Sequence, residues 1–231
     1  MDLNILVIDG SFARNTDGSD RKNNGRLTKL LRDALGAAEA EAELVEMIDL
    51  AELEVKTDFV YLHEVIPKVG FYDGNFESLP EAIIPTFEKM LKADAIIFGS
   101  QVAWYSMGSL MKSFIEHLTA FEYGPELLAD AFPAFHLKDG RQLSNKILGV
   151  ITTCNEDGGQ QVANSIVAPL SDMGMHLPKG CMFYQNGNVM ERSEEGWQTT
   201  YQRLVGENIV RMFCVMNGIK VDHNNWELRE E

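Results

Sequence analysis

The chain has 231 residues, 45% of them hydrophobic, and a formal net charge of −15 at pH 7. That is enough to bury one full core, and it reads as a single domain spanning 1–231. The excess of acid would repel phosphate, which argues against nucleic acid and anionic membrane as partners, and with no run of eighteen apolar residues no membrane span is expected.

The opening residues MDLNILVIDG have no basic region before their apolar stretch and no small-residue cleavage site, so no signal peptide is expected. Cys154, Cys181 and Cys214 are far apart in sequence and form no C-x-x-C pair. This points to a reducing cytoplasm and away from a disulfide scaffold or a cysteine-held metal.

In chain order, residues 4–9 (NILVID) form a buried strand before Gly10 and Ser11. Polar residues continue to 24, and Leu27, Leu30, Leu31, Ala34, Leu35 and Ala38 then mark one face of a helix. AELVEMI at 42–48 suits a second strand or an extension of that helix. Ile84, Phe87 and Leu91 mark a helix, ADAIIFG at 93–99 a strand, and Leu110, Met111, Phe114, Ile115 and Leu118 a further helix. KILGVITT at 146–153 is a strand, followed by a helix marked by Val162, Ile166, Leu170 and Met173. CMFY at 181–184 makes a last short strand. Leu204, Val205, Ile209, Met212, Phe213 and Met216 lie along the final helix.

Strands alternate with helices and are continuous apolar runs, which predicts a parallel sheet covered on both faces. Two stretches depart from the alternation, at about 51–80 and 122–145. Both carry aromatics (Phe59, Tyr61, Phe71, Tyr72; Tyr123, Phe132, Phe135), and both are expected to be packed excursions that shape a pocket or a subunit contact.

In such a sheet, ligands bind outside the carboxyl ends of the strands, where strand order reverses. Three loops there carry unusual chemistry. GSFARNTDGSDRKNNGRLTKLL (10–31) has a Ser just after a strand and a helix start near Gly25, and a helix start is a ready phosphate site. Between 11 and 32 lie Arg14, Arg21, Lys22, Arg26, Lys29 and Arg32, six of the chain's 20 basic residues. A solvated turn offset by Asp17 and Asp20 explains the same residues. SQVAWYSMGS (100–109) can line a flat aromatic ring, or its aromatic pair packs on the sheet edge. TTCNEDGGQQ (152–161) offers backbone and polar groups for the edge of a heterocycle. The loops match neither the P-loop nor the dinucleotide fingerprint nor the nucleophile elbow, and the five histidines show no metal-ligand spacing.

Together the three loops resemble those of the flavodoxin-fold NAD(P)H-dependent FMN reductases, a family with GSPRK-x-GNT-like, SPVYWGSMS-like and TTGG-x-x-GG-like segments. The resemblance covers most of 1–215 and is most specific in the middle loop. It implies a flavodoxin-like, doubly wound, five-stranded parallel α/β sheet that holds FMN and uses NAD(P)H as co-substrate. By the same resemblance the phosphate belongs to Ser11, Arg14, Arg21, Asn24, Gly25, Arg26 and Leu27. The ring belongs to Gln101, Val102, Ala103, Trp104, Tyr105, Ser106 and Met107, and its edge to Thr153, Cys154, Asn155 and Gly158.

An insertion around 15–20 leaves both Arg14 and Arg21 as candidates for the family arginine. Gln101 and Ala103 replace the usual Pro and Tyr, and the cysteine cluster of iron–sulfur flavoproteins is missing from 51–80. The implied reaction carries electrons from NAD(P)H to a quinone, a flavin or a similar small acceptor, with no side chain needed as acid or base and no metal. Cys154 reads as a redox contact or, more simply, as a small packed residue. A flavodoxin-type electron carrier serving a partner protein is the alternative, and a module that has lost FMN is a third. A homodimer whose second subunit completes the pocket is one arrangement the excursions allow.

Overall fold

The computed structural model describes residues 1–11, 25–44, 53–70, 72, 79–123, 125–132, 142–154, 157–186 and 198–219. Strand β1 (Asp2–Asp9) leads to helix α1 (Arg26–Leu44), then β2 (Glu54–Tyr61) and α2 (Leu62–Val69). Helix α3 (Ile84–Lys92) precedes β3 (Ala95–Ala103), which turns into the short β4 (Ser106–Met107) and α4 (Ser109–His117). After α5 (Ala120–Tyr123) and α6 (Pro125–Ala131) come β5 (Ile147–Cys154), α7 (Gly159–Asp172), β6 (Met182–Asn186) and α8 (Gln198–Met216).

Five strands pair in the order β2-β1-β3-β5-β6, all parallel. β4 folds back antiparallel on the end of β3. The described sheet therefore has six strands rather than the five expected, because the loop after β3 is itself a hairpin.

The continuous apolar runs bury both faces. Leu3, Ile5 and Val7 of β1 pack with α1 and α8, while Leu6 and Ile8 face the layer that includes α3, α4 and α7. The α1–α8 crossing is backbone to backbone, since a Cβ at Gly206 would run into the carbonyl oxygen of Ala34. At the amino end of the sheet, the half-buried Lys146 ammonium donates to the carbonyls of Leu91 (2.9 Å) and Ala93 (2.5 Å). That ties β5 to the end of α3, and burial pulls the Lys146 pKa down.

Two expectations are corrected. Residues 42–44 extend α1, the second of the two readings for 42–48, with Ala42 the last buried residue on its inner face, and 45–48 lie outside the described residues. The second strand is β2, inside the stretch expected to be an excursion, and α2 follows directly. An edge strand pairs on one side only and carries charge outward; Glu54, Lys56 and Asp58 interrupt the apolar run that marks a central strand. Part of 122–145 is likewise helical, in α6.

Candidate functional site

The chain runs from β1 to β2 on one side of β1 and returns to β3 on the other. The crevice outside the carboxyl ends of β1 and β3 is therefore the switch point where ligands bind in sheets of this kind.

Gly10 donates its N–H to the carbonyl of Gly99 (2.8 Å), which fastens the exit of β1 to β3. A Cβ at Gly10 would stand 2.7 Å from that same oxygen, so no side chain fits there. Asp9 is fully buried. Its Oδ1 accepts the N–H of Ser11 at 2.8 Å and its Oδ2 the hydroxyl of Thr28 at 2.7 Å. This one carboxylate therefore clamps the strand exit to the first turn of α1. Ser11 is held with its Oγ buried and, among the described residues, without a hydrogen-bond partner. The first intrahelical bond of α1 runs from Lys29 N to Gly25 O (2.9 Å). The N–H groups of Arg26, Leu27 and Thr28 thus have no partner within the helix.

Arg26 is exposed beside these groups, whereas the Leu27 side chain belongs to the core, leaving only its backbone to face the crevice. The Thr28 hydroxyl in the same turn is committed to Asp9. Arg14, Arg21 and Asn24 lie outside the described residues, as does Asn155.

The β3–β4 hairpin pairs Val102 with Met107 and Ala103 with Ser106 across a two-residue turn. Its central residues, Trp104 (φ 49°) and Tyr105 (φ 59°), are both left-handed. Such turns favour Asn-Gly, because a bulky side chain in this region costs about 1–2 kcal/mol per residue. The pair is also open to solvent, with Trp104 97% and Tyr105 55% exposed. Neither ring packs on the sheet edge as a core residue would. Gln101 starts the hairpin, its carbonyl accepting the N–H of Gly108 at 3.0 Å.

The third loop meets the second directly. Gly158 (φ 94°) caps α7, and a Cβ there would stand 3.2 Å from Tyr105 Cα and 3.3 Å from Val102 Cγ1. A Cβ at Gly159 would meet Tyr184 Cβ at 3.0 Å, and the carbonyl of Gly159 accepts the Thr152 hydroxyl at 2.9 Å. Thr153 is buried at the end of β5. Cys154 is buried, its thiol donates to the Gln185 carbonyl at 3.3 Å, and burial pushes its pKa up.

Ser11, Gly25, Arg26, the hairpin, Thr153, Cys154 and Gly158 thus gather at one end of the sheet. Asp9 and Thr28 were missed by sequence reasoning. The available signal was an acidic residue ending a buried strand, which must find donors.

An open parallel sheet in this order with a crevice at its switch point defines a flavodoxin-like α/β protein. The sequence matches the family described as NADPH-dependent FMN reductase over residues 3–188, and the chain belongs to that family. FMN is its cofactor and NAD(P)H its electron donor. No curated protein sequence matches it.

Solved structures share the fold. The protein RosB, with bound 8-demethyl-8-formylriboflavin-5'-phosphate, is 16% identical with a TM-score of 0.60, over 99% of this chain and 95% of that one. An oxidoreductase from Corynebacterium diphtheriae is 14% identical with a TM-score of 0.61, over 91% and 96%. The apo form of the NADH:FMN oxidoreductase EmoB is 15% identical with a TM-score of 0.56, over 91% and 89%. Among the described residues no helix is long and apolar enough to cross a membrane.

Proposed function

We propose that the chain, as one flavodoxin-like domain, passes electrons from NAD(P)H through FMN to a small planar acceptor such as a quinone or a second flavin. FMN held here would supply the redox chemistry, accepting hydride equivalents from the nicotinamide. The residues bind and orient. Ser11 Oγ and the free N–H groups of Arg26, Leu27 and Thr28 hold the phosphate, with Arg26 and Arg14 or Arg21 neutralising it. Ser11 supports this reading because a buried hydroxyl without a partner among the described residues is costly unless a ligand completes it. Gln101 to Met107 line the ring, and Thr153, Cys154, Asn155 and Gly158 border its edge.

The observation that carries the acceptor reading is the strained, solvent-facing Trp104–Tyr105 turn at the switch point. Strain of this kind is kept where it serves a site, and two exposed aromatic faces suit a flat substrate. Family membership favours the enzyme over the carrier. Three buried cysteines that form no disulfide support a reducing cytoplasm as its compartment, and a homodimer completing the acceptor pocket is part of the same proposal.

Initial rates with NADPH and a benzoquinone test it. Parallel double-reciprocal lines are expected, because both substrates use one ring face in turn. Trp104→Ala should raise KM for the quinone. Absence of quinone turnover while a partner reductase protein exchanges electrons with the chain would refute it.

A further inference from the structure

Two of the buried polar atoms that lack a hydrogen-bond partner among the described residues lie at the same end of the sheet: Ser11 Oγ and His63 Nδ1. They leave neighbouring strands. Asp9 pairs with Tyr61 across β1 and β2, and Ser11 and His63 each follow two residues later.

They also share a face. Phe59 packs on the α1–α8 core, and the Arg32 guanidinium of α1 lies 6.0 Å from its ring. Tyr61 stacks on Phe59 at 5.7 Å, and the His63 ring is 5.7 Å from that of Tyr61. Phe59 and Tyr61 share one face of β2, and His63, in the first turn of α2, keeps its ring against Tyr61. Helix α1 descends antiparallel to the strands, at about 5.4 Å per turn. One turn back from Arg32 is Thr28, which is hydrogen-bonded to Asp9 opposite Tyr61. A second turn back is the helix start at Gly25.

We infer that His63 is part of the phosphate site, its ring N–H donating to an FMN phosphate oxygen alongside Ser11 and the start of α1. The inference rests on the FMN reading above and deepens it. A phosphate dianion takes several donors at once. It explains why an imidazole nitrogen and a hydroxyl are both kept buried without a partner among the described residues, and it makes the junction of β2 and α2 part of cofactor recognition.

Fluorescence titration of the parent, His63→Phe and His63→Gln with FMN and with riboflavin tests it. The parent should prefer FMN; a parent binding both alike or neither overturns the phosphate reading itself, and this inference with it. His63→Phe keeps a ring against Tyr61 but has no N–H, so FMN affinity should fall about tenfold or more with riboflavin affinity held. His63→Gln should recover part of the loss by restoring a donor, and it is read against riboflavin in the same way if the phenylalanine variant does not fold. Unchanged FMN affinity in the variants, or equal losses for FMN and riboflavin, would overturn the inference while leaving the parent's FMN site standing.

Discussion

Gly158 and Tyr105 touch through the backbone: a Cβ at Gly158 would lie 3.2 Å from the Cα of Tyr105, and Gly158 itself sits at φ 94°. The cap of α7 is thus built against the aromatic turn, and each limits where the other can stand. Gly158→Ala adds a clash to a conformation that alanine adopts at a cost of about 1–2 kcal/mol. It should lower the melting temperature and weaken FMN binding together. Gly36→Ala is the control: nothing lies within 4 Å of a Cβ there. Placed inside α1, alanine should stabilise by about 0.5–1 kcal/mol with flavin affinity unchanged.

The turn itself stores strain that a matched sequence would release. Replacing Trp104-Tyr105 by Asn-Gly should raise stability by about 2 kcal/mol, since both central residues sit at positive φ. The same double variant should lose acceptor turnover. Thermal melts and quinone kinetics read the two effects separately, and a variant that gains neither stability nor a higher acceptor KM would contradict the account of the turn.

Strands β1, β3 and β5 were legible as unbroken apolar runs because both their faces are buried. β2 was not. Its charged residues point away from a single buried edge, so no apolar run marks it, and Ala42 continued the helical period of α1 into the expected strand. Ser11 and the helix start near Gly25 followed from residue types near a strand end. The clamp of Asp9 on Thr28 did not, since it joins residues 19 positions apart. Nor could Trp-Tyr be read as a two-residue turn, because that turn is signalled by Asn-Gly.

Ser11 separates stability from binding. Its Oγ makes no described hydrogen bond, so Ser11→Ala should leave the melting temperature of the flavin-free protein unchanged or slightly raised. Loss of a hydrogen bond to a charged phosphate costs about 1.5–3 kcal/mol, or roughly ten- to a hundredfold in FMN affinity. Riboflavin affinity should stay the same. Gly25→Glu, which places a negative charge at the helix start, should weaken FMN more strongly.

The thiols give a test by pH. All three cysteines are buried, so a disulfide reagent such as Ellman's should label none of them in the folded protein at neutral pH. An exposed thiol titrates near 9, but burial raises Cys214 to about 11 and Cys181 to about 12. Between those values the folded state binds more protons than the unfolded one. The stabilisation is thus complete below pH 9 and is lost as pH rises through the folded values. The melting temperature should decline from pH 9 to 11 less steeply in Cys181→Ala and Cys214→Ala than in the parent.

Anaerobic mixing of the FMN-loaded protein with NADPH, and separately with NADH, tests the central claim most directly. Visible absorbance should bleach with a rate that saturates in at least one nicotinamide, and adding a quinone should restore it. Absorbance that stays constant with both nicotinamides, while a reductase protein bleaches it, would contradict the reductase account.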